Sequence, residues 1–268
     1  MVDTTFSTQY GPWALVTGAA EGLGLAFANR IAAAGLNVVL LDVQYDKAAI
    51  QAKKISNDYA VEARAISCDL SAANFLDDIL ADTSAQLATL DIGLLVCCAG
   101  IGAPGAFLDV PLATAEKTVQ INCLATMALC HHFAPAMVGR GRGGMVIVAS
   151  NSGYAGAPYI SSYAASKAFD LSFGEALWYE LAPAGVDVLA FSPQGTNTPG
   201  FRRGMPTVKE GETNEALMLP EEAAKIALSK LGVMASYRPD LPEQYSRDRE
   251  TIIRTAGDFA ASLVTQTE

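Results

Sequence analysis

Short apolar runs alternate with helical segments along most of this chain of 268 residues. The runs have the length and composition of buried strands, and we place them at residues 14–17, 37–42, 63–68, 93–99, 144–150 and 187–192. Helices are predicted at residues 23–34, 45–58, 72–89, 112–138, 159–182 and 220–231. Strands joined through helices run parallel and are covered on both faces. The pattern therefore predicts a single doubly wound α/β domain over residues 1–268, with a mainly parallel sheet of about six to seven strands.

A glycine-rich turn follows the first predicted strand. Gly18, Gly22 and Gly24 lie in the sequence Thr-Gly-Ala-Ala-Glu-Gly-Leu-Gly, directly before a predicted helix. Glycines permit a tight turn that brings the backbone close to a pyrophosphate at the helix N-terminus, where free N–H groups favour anions. The spacing G-x-x-x-G-x-G differs from the G-x-G-x-x-G of the common dinucleotide fingerprint. Such turns also occur outside nucleotide sites, so this turn indicates a nucleotide site only in combination with other motifs.

Tyr163 and Lys167 are four residues apart in the helix predicted at 159–182. Side chains at this spacing share one helix face. An ammonium beside a phenol lowers a pKa that is otherwise about 10, so the pair can move a proton to or from an alcohol oxygen. Ser150 ends a predicted strand thirteen residues before Tyr163. A half-buried tyrosine beside a solvated lysine is the alternative, and it is common in helices.

Together these motifs resemble the short-chain dehydrogenase/reductase family, in its classical form. The match runs in the family's order from about Trp13 to Thr198. It comprises the glycine turn, Asp42, Cys68-Asp69-Leu70, Cys98-Ala99-Gly100, Asn122, Ser150, Tyr163, Lys167 and Ser192-Pro193. The resemblance implies a Rossmann-type fold, a nicotinamide cofactor and interconversion of a secondary alcohol and a ketone. Residues 10–18 also resemble members near the hydroxysteroid dehydrogenases and the long-chain ketoacyl reductases.

The resemblance assigns catalytic roles to four residues. Tyr163 is expected to act as general acid/base, and Lys167 to lower its pKa and to bind the nicotinamide ribose. Ser150 is expected to orient the substrate oxygen and to stabilise developing negative charge. Asn122 is expected to hold a water that relays protons from Lys167 to solvent, although a plain backbone hydrogen bond remains its alternative.

We expect the cofactor to be NAD(H) rather than NADP(H). Asp42 ends the second predicted strand, where a carboxylate accepts hydrogen bonds from ribose hydroxyls and repels a 2′-phosphate. Glu21 adds a second negative charge, and the resemblance implies adenine contacts from Asp69 and Leu70. The expected cofactor contacts are Gly18, Ala20, Glu21, Gly22, Leu23, Gly24, Asp42, Val43, Cys68, Asp69, Leu70, Cys98, Ala99, Gly100, Tyr163, Lys167, Pro193, Gly195, Thr196 and Thr198.

Two positions depart from the family's pattern. Cys97-Cys98 stands where two asparagines are common. A thiol is a weaker hydrogen-bonding group, so support for the central strands must come from elsewhere. Gln194 stands between Pro193 and Gly195, where the family has Pro-Gly. We hypothesise that its amide contributes to substrate recognition; the alternative is that it merely replaces glycine in a tolerant loop.

The predicted substrate side is apolar and aromatic, which suits a bulky hydrophobic alcohol such as a hydroxysteroid or an aromatic alcohol. The candidate pocket residues, some of which could instead pack in the core, are Ile101, Ser152, Tyr154, Tyr159, Gln194, Phe201, Leu217 and Met218. Residues 199–219 form a long loop that is expected to cover the substrate. Residues 235–268 form an atypical tail in which we recognise no seventh strand. Residues 247–264 are predicted helical, packing on a partner subunit or on the pocket, or lying free at the surface.

The composition argues against several kinds of partner. The chain has 28 acidic and 18 basic residues, a net charge of −10. This argues against binding to nucleic acid or to an anionic membrane surface. No uninterrupted apolar run reaches the ~18–20 residues of a membrane span, and the first ten residues do not look like a signal peptide. Five cysteines without C-x-x-C or Cys/His spacing indicate no metal site and reduced thiols, hence a cytoplasmic protein.

Two other functions remain open. A 3-oxoacyl thioester reductase would use the same chemistry, but its usual NADPH fits poorly with Asp42 and Glu21. A non-catalytic NAD-binding sensor or scaffold would have no physical need for Ser150, Tyr163 and Lys167 together. The resemblance also implies a homodimer or homotetramer that pairs the helices predicted at 112–138 and 159–182.

Overall fold

The computed structural model describes residues 4–81 and 87–264. Seven parallel strands form the main sheet: β1 (Trp13–Thr17), β2 (Asn37–Asp42), β3 (Ala63–Ser67), β4 (Ile92–Cys97), β5 (Gly143–Val148), β6 (Val186–Phe191) and β9 (Ser236–Tyr237). Their spatial order is β3-β2-β1-β4-β5-β6-β9. The short strands β7 (Gly195–Thr196) and β8 (Leu217–Met218) pair separately. The predicted doubly wound α/β fold is confirmed.

Helices connect the strands. They are α1 (Thr4–Tyr10), α2 (Gly22–Ala33), α3 (Tyr45–Tyr59), α4 (Phe75–Ala81), α5 (Leu112–Val119), α6 (Ala125–Arg140), α7 (Ser161–Leu181), α8 (Pro199–Gly204), α9 (Pro220–Lys230) and α10 (Glu243–Val264). A π-helical segment, Gln120–Leu124, joins α5 to α6, so the helix predicted at 112–138 is continuous but locally widened. The helix predicted at 72–89 is observed as α4 and a 3₁₀ turn at Leu87–Thr89, and residues 82–86 lie outside the described residues.

The core lies on both faces of the sheet. On β1, Ala14 and Val16 pack with α2, α3 and α9, whereas Trp13 and Leu15 pack with α4 and α6. Side chains alternate between faces along a strand, so a strand that is buried on both faces is apolar at every position. This explains why continuous apolar runs predicted the central strands well.

The strand order reverses between β1 and β4. In an open α/β sheet, ligands bind in the crevice at the carboxyl ends of the strands beside such a switch point. The glycine turn follows β1, and the segment from Cys98 to Gly100 follows β4, so both motifs lie at this crevice.

The absence of a seventh strand was a wrong prediction. Ser236 pairs with Ala190 and Tyr237 with Phe191, in parallel, at the edge of the sheet. A strand of two residues is too short to show a periodicity in sequence. The tail then continues into α10, which begins at Glu243, earlier than predicted.

One helical segment among the described residues, Leu112–Arg140, is long and apolar enough to cross a membrane by length and composition alone. A core helix of a soluble protein passes the same test, and 44% of the segment's most apolar window is buried. Leu129, Phe133 and Met137 of this segment pack into the core beside β4 and β5, as expected of a core helix.

Candidate active site

The glycine turn is shaped to receive a phosphate group. Gly18 and Gly22 have φ angles of +66° and +61°, a region that side chains rarely adopt. A Cβ atom on Gly24 would lie 2.1 Å from the Gly18 carbonyl oxygen, so only glycine fits. Glu21, the N-cap residue of α2, makes no side-chain capping bond. The first N–H groups of α2 are thus not capped by that side chain, and the turn fits a pyrophosphate.

Asp42 is held beside this turn. Its carboxylate is buried, and it accepts hydrogen bonds from Ala20 N and Gln44 N, both at 2.9 Å. A carboxylate oxygen has further acceptor capacity, so Asp42 can still accept a ribose hydroxyl. The next residue, Val43, is exposed. The arrangement fits the adenosine end of a nicotinamide dinucleotide.

Glu21 is negatively charged but compensated. Its carboxylate lies 2.5 Å from Lys47 Nζ and 2.9 Å from Arg203 Nη2 of α8. Burial alone would raise the pKa of the Glu21 carboxyl, but the hydrogen bonds from Lys47 and Arg203 outweigh burial and lower it. Two cations therefore offset the second negative charge predicted here, and the charge argument for NAD rests on Asp42.

The loop after β4 is supported by Thr17. Its buried Oγ1 accepts hydrogen bonds from Cys98 N and Ala99 N, each at 3.0 Å. A Cβ atom on Gly18 would lie 2.9 Å from Ala99 Cα, so the glycine turn and this loop are in close contact. The support that Cys98 cannot give is thus supplied from β1. Burial raises the pKa of the Cys98 thiol to about 12, with a smaller opposing effect of Lys167.

The segment after β3 contains the residues that were expected to contact adenine. Cys68 and Leu70 are buried, and Asp69 between them is exposed. Asp69 Oδ1 accepts hydrogen bonds from Ser71 Oγ at 2.6 Å and Ser71 N at 2.9 Å. These bonds lower the pKa of the Asp69 carboxyl, so a negative charge is fixed in this segment.

Helix α7 is attached to the strand end that presents Ser150. The Lys167 ammonium donates a 2.7 Å hydrogen bond to the Val148 carbonyl, two residues before Ser150. A Cβ atom on Gly153, in the 3₁₀ turn after Ser150, would lie 2.6 Å from the Lys167 backbone. Tyr163, one turn before Lys167, is half-buried and packs against Gly102. The fold thus brings the predicted serine, tyrosine and lysine to one end of β5.

Ser150 has a defined environment. Its side chain is buried, its Oγ accepts a 3.2 Å hydrogen bond from Ser152 N, and its O–H donates a 3.3 Å hydrogen bond to Asn151 Oδ1. A hydroxyl can donate one bond and accept two. Ser150 can therefore turn its O–H toward a substrate oxygen by giving up the long bond to Asn151, while it keeps the bond from Ser152.

Lys167 also contacts Asp170, a residue that sequence reasoning missed. Asp170 Oδ2 lies 2.9 Å from Lys167 Nζ, and both side chains are buried. Burial lowers the pKa of the Lys167 ammonium, but Asp170, together with Tyr163 and Cys98, outweighs burial, so the pKa lies above its ordinary value. The available signal was an acidic residue three places after the lysine, on the same helix.

Asn122 lies in the π-helical segment and is fully buried. Its Nδ2 donates to the Ile101 carbonyl at 2.9 Å and to Ser166 Oγ at 2.8 Å, while its Oδ1 accepts from Ile101 N at 2.9 Å. Ser166 Oγ in turn donates to the Tyr163 carbonyl at 2.7 Å. Asn122 therefore ties the loop after β4 to the helix that carries Tyr163.

The loop after β6 lies over the glycine turn. A Cβ atom on Gly22 would lie 3.0 Å from Thr198 Cβ. Thr198 Oγ1 also caps α8 by accepting a 3.0 Å bond from Phe201 N. Pro193, Gly195 and Thr196 lie between β6 and this cap, so the expected cofactor contacts of this segment are placed at the crevice.

Gln194 has a partner within the chain. Its Nε2 donates a 3.0 Å hydrogen bond to the Glu215 carbonyl, and its own carbonyl accepts a 3.0 Å bond from Thr196 Oγ1. Gln194 thereby connects the loop after β6 to the long loop that was predicted to cover the substrate. That loop contains α8 and β8 and is not structureless.

The candidate pocket residues divide into two groups. Ile101, Ser152, Tyr159 and Phe201 are exposed or half-buried, and Tyr159 adopts a φ of +64°. Leu217 and Met218 are buried in β8, and Met218 packs in the core with α9. Leu217 and Met218 are therefore part of the protein interior, in agreement with the alternative that some candidate pocket residues pack in the core.

Helix α10 packs on its own chain beside the site. Arg249 forms a two-fold ion pair with Glu175 of α7, with distances of 2.6 and 2.7 Å. Glu175 is buried and also accepts a 2.7 Å bond from Ser236 Oγ. The Arg249 guanidinium lies 5.5 Å from the ring centre of Tyr154, and the Tyr245 ring lies 6.0 Å from it. Helix α10 therefore packs on α7 and beside Tyr154 of its own chain.

No group of three or more His, Cys, Asp or Glu side chains that could hold a metal ion is found within residues 4–81 and 87–264.

Comparison with known proteins identifies relatives of the chain. Residues 12–207 match the family model of the short chain dehydrogenases. A 7beta-hydroxysteroid dehydrogenase of Collinsella aerofaciens is 32% identical over 84% of either chain. An inactive hydroxysteroid dehydrogenase-like protein 1 of Rattus norvegicus is 33% identical over 84% of this chain and 67% of the relative. A very-long-chain 3-oxoacyl-CoA reductase of Podospora anserina is 32% identical over 83% of this chain and 64% of the relative.

Solved structures show the same architecture. A 7beta-hydroxysteroid dehydrogenase structure has a TM-score of 0.80 at 30% identity, covering 90% of this chain and 92% of that chain. A short-chain dehydrogenase from Sphingobium yanoikuyae in complex with NADPH has a TM-score of 0.76 at 26% identity, covering 94% of this chain and 96% of that chain.

Proposed function

The chain belongs to the short chain dehydrogenase family, and we propose that it is an NAD(H)-dependent enzyme that interconverts a secondary alcohol and a ketone. The substrate is proposed to be a bulky hydrophobic molecule such as a hydroxysteroid. The observation that carries this proposal is the 2.7 Å bond from Lys167 to the strand end that presents Ser150. It fixes the general acid/base helix against the residue that is expected to orient the substrate.

The side chains divide the work in the following way. The N–H groups at the start of α2 would bind the pyrophosphate, Asp42 the adenosine ribose and Lys167 the nicotinamide ribose. A bound nicotinamide would supply hydride acceptance or donation. During oxidation the Tyr163 phenolate, which the Lys167 ammonium stabilises, takes the alcohol proton and becomes the hydroxyl; during reduction the hydroxyl returns that proton. Ser150 Oγ donates a hydrogen bond to the substrate oxygen, where negative charge develops.

Asn122 is proposed to complete a proton relay between Lys167 and solvent. Both N–H donors of its side chain are occupied by Ile101 and Ser166. A relay water would therefore bind to the oxygen atoms of Asn122 and not to its amide nitrogen.

The preference for NAD is supported by Asp42. Its carboxylate is fixed by two backbone N–H groups, so it cannot turn away from a 2′-phosphate without losing both bonds. Desolvating a phosphate beside a carboxylate is unfavourable because like charges repel. The relative that is solved with NADPH differs in sequence at about three positions in four, so each chain's cofactor has to be measured.

The substrate class is supported by the apolar residues near the mouth of the site and by the relatives. Ile101 is exposed and is bonded through its backbone to Asn122, and Tyr159, four residues before Tyr163, is exposed as well; apolar linings suit hydrophobic ligands. The related protein of Collinsella aerofaciens is a 7beta-hydroxysteroid dehydrogenase. A hydroxysteroid is therefore the first substrate to test.

We further propose a cytoplasmic homodimer or homotetramer. Leu112, Val119, Leu124 and Met127 are exposed apolar side chains along one helical segment, and burial of such side chains favours association. Light scattering after size exclusion would give the mass of the assembly as a multiple of the 28.0 kDa chain.

The function is tested by following reduction of NAD and of NADP in parallel. The substrates are hydroxysteroids, aromatic secondary alcohols, small alcohols and 3-hydroxyacyl thioesters. The proposal expects NAD reduction with a bulky hydrophobic alcohol. Turnover confined to 3-hydroxyacyl thioesters would instead support the 3-oxoacyl reductase, a function that a relative of 32% identity carries.

A non-catalytic NAD-binding protein is the second candidate, because one relative is named inactive. The same panel separates it from the enzyme when NADH binding is measured by fluorescence. Tight NADH binding without turnover of any substrate class would favour the non-catalytic protein. Turnover of any one class would exclude it.

A further inference from the structure

A buried ion pair lies next to the proposed acid/base residue. Asp170 follows Lys167 by three residues on α7, and the two side chains are 2% and 5% exposed. Lys167 Nζ donates to Asp170 Oδ2 at 2.9 Å and to the Val148 carbonyl at 2.7 Å. An ammonium has three donors, so two are fixed by the protein and one remains for the site.

We propose that Asp170 is a positioning residue for the reaction: it is the counter-ion that keeps the buried Lys167 protonated and fixes its ammonium at the end of β5. The third N–H is thereby directed to the cofactor ribose and Tyr163. The inference deepens the proposed function and rests on it, because it assigns a residue that acts on the catalytic group through Lys167.

The charges that surround the pair support this assignment. Tyr163 and Cys98 face Lys167, whereas Cys97 and Cys123 face Asp170. Burial raises the pKa of Cys98 to about 12 and that of Cys123 to about 11. A hydrogen bond with Cys130, together with burial, raises the pKa of Cys97 as well. The thiols are therefore neutral at pH 7 and contribute no negative charge. Among the thiols and Asp170, the negative charge beside Lys167 is that of Asp170.

The balance at Lys167 depends on Asp170. Burial disfavours the ammonium and lowers its pKa, while the Asp170 carboxylate makes the largest opposing contribution; with Tyr163 and Cys98 it brings the pKa above the ordinary 10.5. For Asp170, burial outweighs the opposing effect of Lys167, so the pKa of the carboxyl lies above its ordinary value. Within the described residues, Asp170 Oδ1 is buried without a hydrogen-bond partner. The carboxylate therefore depends on Lys167 for its compensation, and removing its charge takes away the largest effect that opposes burial of the lysine.

The first test is a titration that requires no turnover. Protein labelled with ¹³C at lysine Cε is titrated by NMR, and the Lys167 signal is assigned by its loss in Lys167→Arg. The wild type is expected to stay protonated beyond pH 10.5. In Asp170→Asn, which keeps a carbonyl acceptor but no charge, the midpoint is expected to fall by roughly one unit or more. Asp170→Glu, which keeps the charge, is expected to restore the high midpoint.

A matched control is Glu175→Gln. It removes another buried carboxylate from the same helix, 7% exposed against 2% for Asp170, but one that pairs with Arg249. Its Lys167 midpoint should equal that of the wild type. The proposal is overturned if Lys167 in the wild type titrates below pH 10.5, a result that needs no variant to fold. It is also overturned if folded Asp170→Asn titrates as the wild type does.

The second test is the pH profile of kcat for alcohol oxidation. Asp170→Asn is expected to lose at least roughly tenfold in kcat on the alkaline side, where its lysine deprotonates, with substrate KM changed less than threefold. A profile that superimposes on the wild type would overturn the positioning role. If no substrate is turned over at all, the proposed function fails, while the NMR titration still decides whether Asp170 controls the charge of Lys167.

Discussion

Gly153→Ala should separate Ser150 from the helix that carries Tyr163 and Lys167. A Cβ atom at residue 153 would lie 2.6 Å from the carbonyl carbon and oxygen of Lys167 and 2.8 Å from Ala168 N. These are backbone atoms inside a helix, so they cannot rotate away. The added methyl therefore has to push the serine loop away from α7.

The required displacement follows from the contact distance. Real Cβ atoms essentially never approach closer than 3.0 Å, and ordinary contacts begin near 3.4 Å, so the 2.6 Å contacts have to lengthen by roughly 0.4–0.8 Å. Ser150 moves with Gly153, because the Gly153 N–H donates a 3.0 Å bond to the Ser150 carbonyl. A misplacement of about 1 Å can cost about a hundredfold in rate. We expect kcat to fall by roughly ten- to a hundredfold.

The assay is steady-state alcohol oxidation together with NADH binding by fluorescence. The glycine turn and Asp42 are remote from Gly153 in the sheet order, so the NADH Kd should change less than threefold. Gly156→Ala is the matched control, because a Cβ atom there meets nothing within 4 Å, and its kcat should stay within twofold of the wild type. A kcat within twofold of the wild type for Gly153→Ala would refute the reasoning.

Two further predictions concern the cofactor and the tail. Asp42→Ala should lower the ratio of kcat/KM for NAD to kcat/KM for NADP by about ten- to a hundredfold. Glu21→Gln should change this ratio less than threefold, because Lys47 and Arg203 already offset the charge of Glu21. Equal effects of the two variants would contradict the charge argument. Arg249→Ala leaves the buried Glu175 unpaired, and breaking such a pair costs about 3–5 kcal/mol when fully buried. Since Arg249 is 29% exposed, we expect about 2 kcal/mol, or a fall in Tm of roughly 4–8 °C by calorimetry. Arg247→Ala, an exposed neighbour, should shift Tm by less than about 1 °C, and an equal shift for both would contradict the ion-pair account.

The sheet was largely predictable because its strands are buried on both faces. The bounds of β2 agree at both ends with the prediction, and the other central strands agree within one or two residues. Such strands are apolar at every position, so they can be recognised from the sequence without knowing which strands and helices pack against them. The two residues of β9 carry no such pattern, and only their pairing with β6 makes them a strand.

The side-chain network of the site was less predictable, because its partners are distant in sequence. Thr17 supports Cys98 across 81 residues, and Arg249 reaches Glu175 across 74. Neither pairing has a local signal. Asp170 is close to Lys167 in sequence, but oppositely charged residues three positions apart are also found on solvated helix faces. The spacing alone therefore does not indicate a buried ion pair. The packing of α7 against the sheet buries this pair, and burial is what makes Asp170 the counter-ion of Lys167.

The measurement that tests the account most directly compares Tyr163→Phe with the wild type on the best alcohol of the panel. The variant lacks only the phenolic oxygen, which in its ionised form is proposed to take the substrate proton. We expect kcat to fall by at least roughly a thousandfold, with an NADH Kd within threefold of the wild type because the glycine turn and Asp42 are unchanged. A Tyr163→Phe protein that keeps more than a tenth of the wild-type kcat would contradict the assignment of Tyr163 as the acid/base group.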